Sequence, residues 1–239
     1  MGAGPELLRL PKPLECRFVE RLNRFVALVE CGGKPVRAYL TNTGRLKDLL
    51  KPGAKAYCVS RLSRRTEAWL IAVDEVMGPA LIDTRVQERC FEEAVKRSLL
   101  PWLRGFDRVF RAPRVGDSVL DFMLEGGGAR AFVEVKSAVL RTGPSGEFAS
   151  YPDCRSLRGE RHLRLLRRLA EEGLTAVAVF VAGLAGVKAF TPYDEGDPAV
   201  RPLLRGLASA GGLVKAVELT YDPTSSTVTL ANPDLPVLL

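Results

Sequence analysis

Short β-rich segments separated by tight turns fill the first third of the chain, and this pattern constrains the fold most strongly. Each segment is rich in β-branched or aromatic residues, which is typical of strands. The glycine pair at 32–33 predicts a hairpin turn, and Pro52 and Gly53 end a short helical turn predicted over 43–50. Short strands with one helical turn favour a small Greek-key barrel of the OB type. The predicted strands are 16–20, 25–30, 36–40, 56–60 and 68–73.

Helical and strand patterns alternate after Gly78 and Pro79, where we predict a domain boundary. A helix is predicted over 83–100 from the spacing of its apolar residues, with Glu88 on its solvated side. The apolar run 175–181 is typical of a strand covered on both faces. We therefore predict a barrel domain over 1–80 and a three-layer α/β domain over 81–239. The other predicted elements are strands at 108–111, 118–124, 130–136, 187–190 and 214–219 and helices at 157–172 and 199–211.

The positive charge of the chain is concentrated in the predicted barrel. Residues 1–80 contain 14 Lys and Arg against 8 Asp and Glu, whereas residues 81–239 contain 21 against 20. A basic module of this kind suits a polyanion such as nucleic acid, because neutralisation of phosphates drives sequence-independent binding. The alternative is a solvated basic surface that binds no partner.

Neither a membrane segment nor a zinc site is indicated by the sequence. No apolar run approaches the roughly 18 residues that a membrane helix needs, and residues 1–14 lack the apolar core of a secretory signal. We expect a cytoplasmic protein without a membrane partner. The five cysteines include no CxxC pair and the chain has one histidine, which argues against zinc. Free thiols in a reducing compartment are the simpler interpretation.

A Glu-x-Lys pair on one predicted strand carries the candidate chemistry. Glu134 and Lys136 are two residues apart, so their side chains point to the same face of the strand. Asp121 lies on the preceding predicted strand, and antiparallel pairing through the glycine-rich hairpin 126–128 can bring it beside Glu134. Two adjacent carboxylates repel and are best kept ionised by a cation. Such hard oxygen ligands suit Mg²⁺ or Mn²⁺.

These three residues predict metal-dependent cleavage of a phosphodiester. The metal, held by Asp121 and Glu134, would polarise the phosphodiester and lower the pKa of a bound water. Lys136 would orient that water or neutralise charge that develops on the phosphate. The alternative is a Glu–Lys cross-strand pair on a solvated sheet edge, since an Asp followed by Glu-x-Lys is a common pattern.

Arginines recur along the predicted helix 157–172. Arg161, Arg164 and Arg168 fall on one face of this helix, and His162 falls with the leucines on the other. The arginine stripe would hold a DNA backbone rather than read bases, or it is simply a solvated face. For His162, a packed core position and a phosphate or water contact at the edge of the site both stay open.

A series of motifs extends over roughly 21–219: RLNRF at 21–25, NTG at 42–44, RRT at 64–66, LDF at 120–122, VEVK at 133–136, YPDC at 151–154, RG at 158–159, HL at 162–163 and DP at 197–198. In this order they resemble the sugar fermentation stimulation protein A (SfsA) family, which is described as DNA-binding. The family usually has His-Cys-Pro before its Asn-Thr-Gly motif, where this chain has Tyr39, Leu40 and Thr41. Arg161 stands where the family has lysine, and Cys154 where it has alanine.

The resemblance implies an OB-type barrel followed by a PD-(D/E)xK nuclease-type domain, with Asp121, Glu134 and Lys136 as the nuclease-type constellation. Combined with the charge pattern, it gives a predicted nucleic-acid-binding set from the barrel and the arginine-rich helix: Arg24, Asn42, Thr43, Arg45, Arg64, Arg65, Arg158, Arg161 and His162.

We therefore predict a DNA-binding protein with a Mg²⁺- or Mn²⁺-dependent nuclease domain. Phe25 or Trp69 would stack on separated bases, although core packing is the favoured interpretation for both. The rival hypothesis is a non-catalytic DNA-binding regulator of transcription, acting in sugar metabolism by the family resemblance, with a nuclease fold that no longer cuts. RNA is a third candidate partner, because OB barrels accept RNA as readily as DNA. The strandedness of the DNA and a homodimer stay open.

Overall fold

The computed structural model describes residues 4–61, 63 and 65–239, and the predicted contact residue Arg64 lies outside them. Among these residues, no helix is both long and apolar enough to cross a membrane. The first part of the chain is a run of strands: β1 (Glu6–Arg9), β2 (Leu14–Asn23), β3 (Val26–Cys31), β4 (Lys34–Tyr39), β5 (Lys55–Ser60), β6 (Ala68–Glu75) and β7 (Gly78–Leu81).

Strands β2 to β6 close into a barrel. Their order is β4-β3-β2-β5-β6, and β4 pairs in parallel with β6 where Tyr39 lies opposite Trp69. Inward-facing side chains such as Phe18, Ala27 and Val29 are almost inaccessible to solvent and fill the barrel. The prediction of an N-terminal OB-type barrel is confirmed.

The second part of the chain contains the helices, as the alternating pattern predicts, together with several short strands. In chain order the elements are α1 (Thr84–Lys96), a 3₁₀ turn (Pro101–Leu103), β8 (Arg108–Arg111), β9 (Arg114–Val115), β10 (Ser118–Val119), β11 (Phe122–Gly126), β12 (Ala129–Ala138), β13 (Leu140–Thr142), β14 (Phe148–Tyr151), α2 (Leu157–Glu171), β15 (Thr175–Ala182), β16 (Ala189–Pro192), α3 (Val200–Ser209), β17 (Leu213–Asp222) and β18 (Thr227–Leu235).

A seven-stranded mixed sheet forms the centre of the second domain, in the order β1-β18-β17-β15-β12-β11-β8. Side chains of the central strand β15 alternate between its two faces. Val177 and Val179 pack in the apolar cluster that contains the buried side of α1, whereas Ala178 and Phe180 pack in the cluster that contains α2 and α3. The sheet is therefore covered on both faces, which confirms the predicted three-layer arrangement.

The first strand of the chain belongs to this sheet and not to the barrel. β1 pairs antiparallel with β18, with Leu8 opposite Val228. Residues 1–80 were expected to lie together in the barrel domain, but β1 crosses to the second domain. A single edge strand can join either the barrel or the central sheet, and the sequence of β1 does not indicate which of the two it joins.

The predicted strand 118–124 is two separate elements. β10 makes a short hairpin with β9, and the chain bends at Asp121 before β11 begins. The Leu120 N–H donates to the Pro113 carbonyl at 3.1 Å, and the Ala112 N–H donates to the Asp121 carbonyl at 2.9 Å. These two hydrogen bonds hold the ends of the segment 112–121 together. Asp121 consequently stands just before β11 rather than within a strand.

Cys16 and Cys31 form a disulfide, which overturns the expectation that the cysteines are free thiols. They lie directly opposite each other on β2 and β3, and their Cα atoms are 4.3 Å apart. Cys58, Cys90 and Cys154 carry free thiols. The pairing depends on the register of two strands, which the spacing of cysteines along the sequence does not reveal.

Candidate active site between the two domains

Asp121, Glu134 and Lys136 meet on neighbouring strands of the central sheet. Antiparallel pairing of β11 with β12 places Phe122 opposite Val133, so Asp121 stands beside the following residues of β12. The Val135 N–H donates to Asp121 Oδ2 at 2.8 Å and orients this carboxylate. Asp121 and Glu134, which a hairpin separates in the sequence, are thereby held together at one end of the β11–β12 pair.

Glu134 is the buried centre of this group, with 1% of its surface exposed. The Lys136 ammonium donates to Glu134 Oε1, and His162 Nδ1 contacts the same oxygen from α2. Within the described part of the chain, Glu134 Oε2 is buried and has no hydrogen-bond partner. One oxygen of the carboxylate is therefore held by the protein, and the other is buried without a hydrogen-bond partner among the described residues.

Burial and nearby charges shift the pKa values of Asp121 and Glu134 in opposite directions. Burial raises the pKa of Asp121 to about 6, and repulsion from Glu134 adds to the rise. Burial also acts to raise the pKa of Glu134, but the charge of Lys136 and the contact with His162 outweigh it and the pKa is lowered. Burial acts to lower the pKa of Lys136, and the Glu134 carboxylate overcomes this, so the pKa is raised. Glu134 and Lys136 form an ionised pair, while ionisation of Asp121 is costly.

Glu88 on α1 is a third carboxylate at the site and was not among the predicted site residues. It lines the same cavity as Asp121 and Glu134. Burial raises the pKa of Glu88 to about 7, and the charge of Asp121 contributes to the rise. Periodicity places Glu88 away from the hydrophobic core, but no sequence signal distinguishes a side of α1 that faces a cavity from one that faces solvent.

The cluster lies in a cavity of about 530 Å³ between the barrel and the second domain. On the barrel side the cavity is lined by Arg24 and by residues 41–49, which are named the roof loop here. Its Asn42 side chain donates to Ser137 Oγ at 3.2 Å, and its Leu46 N–H donates to Asp153 Oδ2 at 2.7 Å. The roof loop is therefore anchored to the second domain on two sides of the site.

The cavity gathers part of the predicted nucleic-acid-binding set: Arg24, Asn42, Thr43, Arg45 and Arg158. Arg65 and Arg161 are exposed but do not line it. His162 is 1% exposed and contacts Glu134, so it is packed beneath the site and its side chain is not placed for a phosphate contact at the surface.

The two aromatic residues singled out in the barrel differ in their surroundings. Phe25 is 48% exposed, so the interpretation that it packs in the core is wrong. Its neighbour Arg24 lies over the ring, 5.7 Å from the centroid, and also lines the cavity. Trp69 is half-buried and its indole N–H donates to Asp83. Phe25 is therefore an exposed ring next to a cavity-lining arginine, and Trp69 supports the junction between the domains.

An OB-type barrel joined to a nuclease-like three-layer α/β domain, with a carboxylate–lysine cluster between them, defines the class of this protein. Two family models match the chain: the SfsA N-terminal OB domain over residues 19–82 and the sugar fermentation stimulation protein RE domain over residues 85–225. The chain belongs to the sugar fermentation stimulation protein (SfsA) family.

Relatives in the family match this chain over most of its length. A sugar fermentation stimulation protein homolog of Pyrococcus furiosus is 42% identical over 214 residues, which are 90% of this chain and 92% of the relative. The homolog of Archaeoglobus fulgidus is 38% identical over 234 residues, which are 98% of this chain and all of the relative. A solved structure described as Pyrococcus furiosus SfsA in complex with Ca²⁺ superposes with a TM-score of 0.93 at 39% identity, covering 98% of this chain and 100% of that one.

Proposed function

We propose that this protein is a metal-dependent phosphodiesterase acting on DNA, with Asp121, Glu134 and Lys136 as a PD-(D/E)xK-type site. The observation that carries the proposal is the state of Glu134. Lys136 and His162 hold its Oε1, while its buried Oε2 has no partner among the described residues. A buried carboxylate oxygen without a partner is costly, and a bound cation removes that cost.

The residues present fit a cation of the Mg²⁺ or Mn²⁺ type. Residues 4–61, 63 and 65–239 contain no cluster of three or more His, Cys, Asp or Glu side chains arranged to hold a metal ion. Asp121 and Glu134, the two carboxylates that meet at the end of the β11–β12 pair, would be the protein ligands. Two carboxylates suffice for Mg²⁺, which usually completes its shell with waters and substrate phosphate. The Ca²⁺ complex of the Pyrococcus furiosus relative supports a divalent cation site in this family.

Each residue of the site has a distinct proposed role. A divalent cation, when bound, supplies the charge that polarises a phosphodiester and lowers the pKa of water. Lys136, held in place by Glu134, neutralises charge that develops on the phosphate during attack. His162 positions the Glu134 carboxylate from below, and the Val135 N–H positions Asp121.

The walls of the cavity favour a polyanionic substrate. Positive side chains line it from both domains: Arg24, Arg45, Lys47, Arg155 and Arg158. They would bind phosphates of any sequence, in agreement with the excess of positive charge in residues 1–80. The same walls also suit a protein that binds DNA without cutting it, so only a cleavage assay separates the nuclease from a non-catalytic regulator.

Cleavage of end-labelled DNA and RNA, each as a single strand and as a duplex, tests the proposal in Mg²⁺, in Mn²⁺ and in EDTA. We expect metal-dependent cutting of DNA that Lys136→Ala abolishes while DNA binding is kept. Lys188→Ala is the matched control, because Lys188 is exposed and lies outside the cavity lining. Absence of cleavage in every metal and with every substrate would refute the proposed activity and leave a DNA-binding role.

A further inference from the structure

We infer that the site acts on single-stranded DNA: one strand enters the cavity between the domains, and a base next to the bound segment stacks on Phe25. The inference rests on the proposed function, because it names the substrate class of the same site. It is carried by three features of the described residues: an anchored roof, a cavity of limited size, and an exposed aromatic ring beside a basic wall.

The roof loop covers the barrel side of the site and is hydrogen-bonded to the second domain at two points. The Asn42 side chain donates a hydrogen bond to Ser137, the residue that follows Lys136, and the Leu46 N–H donates to Asp153. A Cβ added at Gly44 would lie 2.8 Å from both carboxylate oxygens of Asp153. The loop therefore passes so close to the second domain that any residue larger than glycine would displace the Asp153 side chain. A substrate therefore reaches Glu134 by entering beneath the loop.

A second anchor, remote from the roof loop, holds the two domains together. Arg141 in the second domain makes two hydrogen bonds, of 2.7 and 2.8 Å, to the carboxylate of Glu75 in the barrel. The same guanidinium donates to the carbonyls of Gly146 and Ala185. This largely buried bidentate pair opposes a hinge motion that would widen the cavity for two paired strands.

The size of the cavity matches one strand. At about 530 Å³ it falls within the range of roughly 300 to 1,000 Å³ that holds one small organic ligand. A nucleotide with its phosphate is of that order, whereas a duplex brings a second strand and stacked base pairs to the same place. Glu134 has 1% of its surface exposed, so a phosphodiester has to enter the cavity to approach it.

Phe25 supplies the stacking surface that a single strand needs. Its side chain is 48% exposed at the β2–β3 hairpin, and Arg24 contacts both its ring and Thr43 of the roof loop. Barrels of the OB type bind separated strands by combining a basic groove with aromatic side chains on which bases stack. An unpaired base is available for such stacking, and a base within a duplex is not.

Binding of one DNA sequence, as a labelled single strand and as a blunt duplex, tests the inference by fluorescence anisotropy. The full chain with Lys136→Ala is used in Mg²⁺, so that no cutting interferes. We expect the single strand to bind on the order of tenfold more tightly or better, and Phe25→Ala to weaken single-strand binding roughly 5- to 150-fold. Phe110→Ala is the matched control, because Phe110 is 42% exposed on β8 and its neighbours Val109 and Arg111 do not line the cavity, whereas Arg24 beside Phe25 does.

The outcomes separate this inference from the proposed activity. Equal or tighter binding of the duplex overturns it, and so does an equal effect of Phe25→Ala and Phe110→Ala. A protein that cuts duplex as fast as single strands keeps the proposed activity and loses this inference. If the protein cuts no substrate but binds single strands more tightly through Phe25, the proposed activity is refuted and the preference for a single strand stands.

Discussion

Replacing Asp121 by asparagine is expected to stabilise the fold while it removes the proposed metal site. Burial and the charge of Glu134 raise the pKa of Asp121 from 3.8 to about 6. The ionised form therefore costs about 3 kcal/mol above the folded-state pKa, at about 1.4 kcal/mol per pKa unit. Below the unfolded-state pKa of 3.8, Asp121 is protonated in both states and the cost disappears. Asparagine keeps an oxygen that accepts from the Val135 N–H without the charge.

Thermal unfolding in EDTA at pH 8 measures this cost. Asp121→Asn is expected to raise the Tm by about 6 to 12 °C, because about 3 kcal/mol shifts the Tm of a chain of this size by that amount. At pH 4.5 the gain falls to about 1 kcal/mol, because Asp121 is then largely protonated in the folded wild type. Asp117→Asn, in the exposed turn between β9 and β10, is the control and is expected to change stability by less than about 0.5 kcal/mol.

The metal dependence of the same measurement links stability to function. Mn²⁺ should raise the Tm of the wild type and leave that of Asp121→Asn unchanged, because a ligand stabilises only the state that binds it. A variant that is no more stable than the wild type at pH 8 in EDTA would show that the buried charge of Asp121 is not a cost, and the reasoning about this site would be refuted.

Three further outcomes follow from the structure. Cys16→Ser with Cys31→Ser is expected to lower the free energy of unfolding by about 3 kcal/mol, because the disulfide closes a loop of 15 residues; five titratable thiols in the unreduced, denatured wild type would contradict the bond. Arg158→Ala should reduce the slope of log K for DNA against log salt by about 1, and an unchanged slope would remove Arg158 from the phosphate path. Gly44→Ala should displace Asp153, loosen the roof loop and narrow the difference in affinity between single strand and duplex, whereas an unchanged preference would show that the loop does not exclude duplex.

Local periodicity predicts those parts of the molecule whose geometry is set by neighbouring residues. Glu134 and Lys136 share a face because side chains alternate along any strand, and the glycine-rich hairpin before them makes pairing with the preceding strand the natural outcome. His162 falls on the leucine side of its helix for the same kind of reason. These features were accessible from the sequence because each depends on only a few residues.

Contacts that depend on how distant elements pack were not accessible. The contact of His162 with Glu134 requires α2 to lie on one particular face of the sheet, and the bond between Asn42 and Ser137 requires the barrel to dock at one particular edge. Likewise β1 joins β18 from the opposite end of the chain. Helix and strand patterns show which face of an element is apolar, but they do not identify the element that covers it.

The most direct test of the account is a crystal structure of this protein soaked with Mn²⁺, with anomalous diffraction used to locate the metal. The account predicts an anomalous peak between the carboxylates of Asp121 and Glu134, with Glu134 Oε2 among the ligands, and no peak there in Asp121→Asn. An anomalous peak elsewhere with none at these carboxylates, or a peak that persists in the variant, would contradict the proposal that this cluster is a metal-dependent site.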